Sequence, residues 1–133
     1  MPRLVISVDY YWDYLSTYDD RYGVINYGGK DVIDVGAFIG DTAIYFVRRG
    51  ARRVVAIEPH PRAFTELIRN IKLSGLGSTV IPINAALGST PGITCVPMDL
   101  DLGSVMAMYF GPSTGPCNDG LRVRLMTLGE VIR

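Results

Sequence analysis

Histidine is nearly missing from this sequence: His60 is the one imidazole in 133 residues. Cysteine is scarce as well, with Cys95 and Cys117 the only two and no CxxC spacing between them. A tetrahedral nitrogen and sulfur site needs more ligands than this, so no metal is expected. The two cysteines are expected to be free thiols of a cytoplasmic protein rather than a disulfide. An excess of charge of one sign is also lacking, because Lys plus Arg and Asp plus Glu both number 13. That balance argues against nucleic acid or an anionic membrane as partner. Arg48-Arg49 and Arg52-Arg53 form the densest basic spot, too small to change this. No apolar run reaches the roughly 18 residues of a membrane span. The opening "MPRLVISVDYY" lacks the long apolar stretch and cleavage site of a signal peptide.

What remains is the composition of a globular chain, 48% hydrophobic and 20% charged, long enough for one domain over 1–133. An aromatic segment over 1–29 comes first; its first 27 residues hold six of the eight tyrosines and the single tryptophan. Tyr11, Trp12, Tyr14, Leu15 and Tyr18 have loose helical spacing. They read as a short helix packed on a sheet, or as a lid over a ligand pocket. Residues 30–88 then alternate strand and helix. "DVIDVG" and "RRVVAIE" are β-branched runs of the kind buried on both faces. Asp41-Thr42 open a helix with Ala43, Ile44, Phe46 and Val47 on one face, closed by Gly50. Pro61 sits at a first helical position, and Ala63, Phe64, Leu67, Ile68 and Ile71 form that helix's buried stripe, ended by Gly75. "STVIPINAALG" predicts a third strand. The order predicts a parallel βαβαβ core with helices on its faces. Over 89–133, three β runs at 93–98, 105–110 and 121–126 predict antiparallel hairpins, with a Gly- and Pro-rich link at 111–120 and the start of a helix at "TLGEVIR". The expected class is α/β, a Rossmann-like three-layer sandwich with a C-terminal hairpin region.

The informative stretch is "VIDVGAFIGDTAIYF", residues 32–46, at a strand-to-helix junction. Ligands of doubly wound sheets bind at the carboxyl ends of the strands, where this junction lies. A dinucleotide site needs a second glycine where Phe38 stands, and Asp41 at a helix start repels phosphate. No G-K-[ST] closes the loop, so the P-loop pattern is absent too. A carboxylate here suits a cationic ligand without phosphates, and S-adenosylmethionine, with its ammonium, its sulfonium and a bare adenosine, qualifies. Asp34 would accept from the ammonium. Gly36 would let the backbone approach, and Gly40 would let the helix start lie close to the strand. Asp41 or Thr42 would cap the helix or reach the methionine carboxylate. Glu58, 22 residues after Gly36, ends the second strand near the spacing at which an acid grips ribose hydroxyls; the alternative is a cap on the following helix. Asn84 meets the adenine edge or holds a turn, and His60 reads as a helix cap.

With these residues in place, the chain resembles class I S-adenosylmethionine-dependent methyltransferases, and specifically the FkbM family. The resemblance is carried by "VIDVGAFIGDTAIYF", by "AIEPHPRAFTELIRNIKLSG" with its Glu-Pro pair and Asn70, by "VIPINAALGSTPG" and by "VRLMTLGEVI", where Gly129 replaces the usual Asp. It implies a cofactor site of Asp34, Gly36, Ala37, Phe38, Gly40, Asp41, Thr42, Glu58, Pro59, Asn84 and Ala85. It also implies methyl transfer to a hydroxyl of a sugar or another small molecule. The family's next strand, D-x-L-K-I-D-x-E-G, would follow Arg133, so the chain reads as a truncated methyltransferase fold, with catalytic residues unassigned. An open edge on the first strand would then invite homo-oligomer formation. A non-catalytic assembly module using that edge is the alternative function, and a nicotinamide-dinucleotide domain is the rival disfavoured by Phe38.

Overall fold

A computed structural model describes residues 19–98, 111–113 and 115–133. The aromatic run Tyr11–Tyr18 and the middle β run at 105–110 lie outside the described residues. The order is α1 (Asp19–Tyr22), β1 (Asp31–Val35), α2 (Asp41–Arg48), β2 (Arg53–Ile57), α3 (Pro61–Leu73), β3 (Val80–Ile83), β4 (Ala86–Leu87), β5 (Gly92–Pro97), β6 (Gly120–Met126) and α4 (Leu128–Val131). Strands β1, β2 and β3 form one parallel sheet in that order, with Asp34 opposite Ala56 and Ile57 opposite Ile83. Because both crossovers step the same way across the sheet, right-handedness puts α2 and α3 on the same face. Their Ala43, Ile44, Phe46, Leu67 and Ile71 close over Val32, Val54, Ala56 and Val80. Tyr22 and Tyr27 extend this core, with ring centroids 5.5 and 5.0 Å from that of Phe46. Ile68, expected in the buried stripe, is instead 40% exposed, because the stripe follows Leu67 to Asn70 and Ile71.

The opposite face carries Ile33, Val55, Ile57 and Ile83, and it meets Ala85, Leu87, Met126 and Val131. Val35 and Ile81 stay 55% and 43% exposed there. Asp31 opens β1 and accepts from both Arg52 and Arg53, each through Nη2 at 2.7 Å and through Nε at 2.8 and 3.4 Å, which holds its carboxyl well below the usual carboxylate range. This triad ties the starts of β1 and β2 together on the surface. A cleft of about 540 Å³ lined by Tyr27, Arg48 and Arg49 also lies at these amino ends, away from the carboxyl-end crevice.

The third strand departs from its predicted continuity. The backbone breaks at Asn84-Ala85, where Ala85 N–H donates to Ile83 O at 3.1 Å. Residues 86 and 87 then join a second sheet of order β4-β6-β5, in which β4 runs parallel and β5 antiparallel to β6. The hairpin is therefore present, as expected, but in a sheet of its own. Gly120 is required there: a Cβ would stand 2.5 Å from Val96 O, closer than any carbon side chain tolerates. Thr127 and Glu130 form a capping box at the start of α4.

The expectation of two free thiols is corrected: Cys95 and Cys117 form a disulfide. The link after Gly111 runs back along β5, with Ser113 N–H donating to Ile93 O at 2.8 Å. This brings the two Cα atoms to 5.7 Å, inside the range a disulfide spans.

Among the described residues one buried side-chain polar atom has no hydrogen-bond partner, the hydroxyl of Ser74 just after α3. Such a group pays desolvation without return. Ser74→Ala is expected to stabilise by about 1 kcal/mol, seen as a melting temperature raised by roughly 3–5 °C. A lowered value would show that the hydroxyl is bonded in solution.

Candidate functional site

The carboxyl ends of β1 and β2 bring the predicted junction and the predicted acid together. Three successive amides of the loop after β1 point at the end of β2. Those of Gly36 and Ala37 donate to Ile57 O at 2.9 and 3.0 Å, and that of Phe38 donates to Glu58 Oε2 at 2.8 Å. Phe38 is left-handed with φ of 50°, and among the described residues it alone does this without being glycine. Gly36 has φ of 78°, and a Cβ placed on it would meet nothing within 4 Å; the loop is open on that side. Gly40 has φ of 91°, and its Cβ would lie 3.4 Å from Leu67 Cγ. The left-handed φ is what favours glycine here, and the neighbour a side chain would touch is α3, not the strand as expected.

Asp41 is not the cap. Gly40 occupies that place with no side-chain cap bond, and Asp41 is the buried first residue of α2. Thr42 turns its hydroxyl to Asp34, donating to Oδ2 at 2.6 Å. Asp34 is buried on the helix-facing side of β1. Burial, reinforced by the nearby Asp41 and Glu58 carboxylates, pushes its carboxyl up to about 6, with the Thr42 hydroxyl pulling the other way. A partly proton-loving carboxylate in this position gains most from a cation.

Glu58 is fully buried at the end of β2. Its Oε1 accepts the amide of His60 at 2.8 Å, but the helix cap itself is His60, so Glu58 is not the cap that the alternative reading made it. Burial raises its carboxyl, while the His60 and Phe38 amides lower it. His60 caps α3 as expected: Nδ1 accepts from Arg62 N–H at 3.2 Å. Nε2 lies 3.0 Å from Pro97 O and 3.3 Å from Met98 O. An accepting Nδ1 leaves the proton on Nε2, which donates to those carbonyls. Asn84 sits at the surface of the crevice, and its Nδ2 donates to Glu58 O and Pro59 O at 2.9 and 3.1 Å. That is the turn-holding alternative, and Oδ1 remains as an acceptor. Pro59 and Ala85 are both buried beside it.

Asn70 was not singled out from the sequence as a site residue. Fully buried on α3, it donates to Ile39 O at 2.9 Å and fixes the far end of the glycine loop. Its signal was a carboxamide inside an otherwise apolar stripe. Among the described residues no cluster of His, Cys, Asp and Glu is arranged to hold a metal, and no helix is long and apolar enough to cross a membrane.

No family model matches the chain. Ribosomal protein L11 methyltransferase of Geobacter sp. (strain M21) is 33% identical over 76 residues, which are 55% of this chain and 25% of that protein. The chain thus spans about a quarter of the curated relative it matches. Among solved structures, protein arginine methyltransferase 10 of Arabidopsis thaliana is 32% identical, with a TM-score of 0.43, over 44% of this chain and 17% of that one. The PRMT6 structure superposes with a TM-score of 0.50 at 22% identity, over 57% of this chain and 22% of that one. The parallel βαβαβ sheet and this likeness give the chain a Rossmann-like α/β fold that overlays part of the PRMT6 structure.

Proposed function

We propose that this chain is the cofactor-binding part of an S-adenosylmethionine-dependent methyltransferase. The observation that carries the reading is a pair of buried carboxylates at adjacent strand ends, Asp34 and Glu58, flanking a glycine loop. The crevice offers negative charge where a nucleotide site would offer a phosphate cradle. The donor set fits a ligand with an ammonium and ribose hydroxyls. Asp34 accepts from the ammonium, Glu58 from the hydroxyls, and Asn84 Oδ1 meets the adenine edge. Gly36, Ala37, Phe38 and Gly40 supply backbone, and Asp41, Thr42, Pro59 and Ala85 complete the walls. When bound, the cofactor supplies a methyl group activated by a sulfonium; the chain's own part is to orient it for attack.

The finer reading is an FkbM-like enzyme methylating a hydroxyl of a sugar or another small molecule. It is supported by the motifs at 32–46, 56–75 and 80–92. The bacterial relative, by its name, acts on a ribosomal protein, so a protein acceptor is the competing outcome of an acceptor screen. The Cys95–Cys117 disulfide persists in oxidising surroundings, which weighs against the cytoplasmic placement expected from the sequence.

Calorimetry tests the cofactor directly. S-adenosylhomocysteine is expected to bind with a Kd on the order of micromolar, and NAD is expected not to compete. Asp34→Ala and Glu58→Ala each weaken binding by roughly 10–100-fold, the worth of a hydrogen bond to a charged group. A second reading, an assembly module of methyltransferase descent, is favoured by one observation: among the described residues β1 pairs only with β2. Sedimentation showing a dimer, together with no heat on adding the cofactor product, would favour that module and end the enzyme reading.

A further inference from the structure

Glu58 holds two backbone amides from different elements. Its Oε2 takes the Phe38 N–H of the loop after β1, and its Oε1 takes the His60 N–H that begins the turn into α3. The side chain is fully buried, and the His60 amide it holds is buried with it while the Phe38 amide is half-buried, so losing the carboxylate leaves at least one buried donor without a partner. Of the three successive loop amides aimed at β2, only that of Phe38 ends on a side chain. It belongs to the residue whose left-handed φ of 50° a bulky side chain adopts only when its surroundings impose it.

Resting on the cofactor reading above, we propose that Glu58 is also the positioning residue of the glycine loop. Its two oxygens set the bend at Phe38 and the start of α3 before any ligand arrives, so it governs contacts with parts of the cofactor it never touches. The role demands a carboxylate. Glutamine has one acceptor oxygen and one amino group, and either way round the amino group faces a backbone N–H. Protonation fails for a related reason, because it converts one oxygen into a donor. The charged and titratable groups around Glu58 are His60, whose ring caps the same turn, and Asp34 at the end of β1, which Asp41 faces in turn.

Two measurements test this. In the ligand-free wild type, nitrogen–proton NMR as a function of pH follows the titration of Glu58, which burial moves upward. The Phe38 and His60 amide protons are expected to shift together with one shared midpoint; different midpoints, or none, would overturn the proposal. The second measurement crosses Glu58→Gln with removal of the ribose hydroxyls, using S-adenosylhomocysteine and its 2′,3′-dideoxy analogue in calorimetry. A residue that only grips the hydroxyls leaves analogue binding unchanged on mutation. A positioning residue weakens the analogue by at least about tenfold. If neither ligand binds the wild type, the cofactor reading fails by itself and the shared titration still decides the clamp. The same titration decides if Glu58→Gln does not fold.

Discussion

Asp34→Asn is expected to make the ligand-free protein more stable while removing its affinity for a cationic ligand. The two effects share one cause. A carboxyl held at about 6 in the fold, against 3.8 when free, opposes folding by about 3 kcal/mol once the pH exceeds both values. The sign follows from proton counting. Between about pH 4 and 6 the folded state binds more protons at this group than the unfolded chain does, so stability falls as the pH rises through that window. Below it the penalty vanishes. Asparagine carries no charge and keeps an oxygen for the Thr42 hydroxyl, though its amino group must find an acceptor. A net gain of about 1–2 kcal/mol is expected, or roughly 3–8 °C in melting temperature at pH 8. The gain should shrink at pH 4. Binding moves the other way: S-adenosylhomocysteine affinity falls by at least about tenfold in the variant, and in the wild type it declines as the pH drops below about 6. Thermal melts at the two pH values, paired with calorimetry, check both halves. A variant that is destabilised at pH 8 would show that Asp34 is charge-compensated in the folded chain.

Reducing the Cys95–Cys117 bond is expected to have the larger effect on stability alone. The bridge closes a span of 22 residues between β5 and the link into β6. Chain entropy assigns such a loop about 3 kcal/mol, or roughly 10 °C for a domain of this size. Cys117→Ser should melt at the temperature of the reduced wild type and should no longer respond to dithiothreitol. The loss falls on the hairpin sheet, where β5 and β6 carry the pairing, and not on β1 to β3. Amide exchange should therefore quicken at Val96 and Val123 before it quickens at Val54. An unchanged melting temperature on reduction would mean that β5 and β6 hold their pairing without the bridge.

The parallel half of the fold was legible because its elements announce themselves locally. Val32–Val35 and Val54–Ile57 are short β-branched runs, and the apolar spacing of α2 and α3 repeats at helical period. The second sheet was not legible in the same way. β4 is two residues long, and its partner lies on β6, far along the chain, so no local pattern marks the break at Asn84. The disulfide was misread because spacing along a sequence says nothing about Cα separation. At the site, Asp34 and Asp41 stood out as carboxylates where a phosphate loop has none, and Glu58 stood out by its spacing from Gly36. What could not be seen was that Thr42 turns inward to Asp34, and that Glu58 already holds two amides. Those bonds depend on loop conformation, above all on a left-handed phenylalanine that residue preferences argue against.

The crossing at Asn84 and Ala85 is the only covalent step between β3 and β4, and it is two residues long. Beside it, the His60 ring fastens the head of α3 to the carbonyls of Pro97 and Met98, and Met126 seats against Ile57. The hairpin is therefore leashed at a pivot and braced on both flanks. Any swing about that pivot must pull the imidazole off its carbonyls and drag on the turn that carries Glu58. Mechanical load on the hairpin would register at the floor of the crevice.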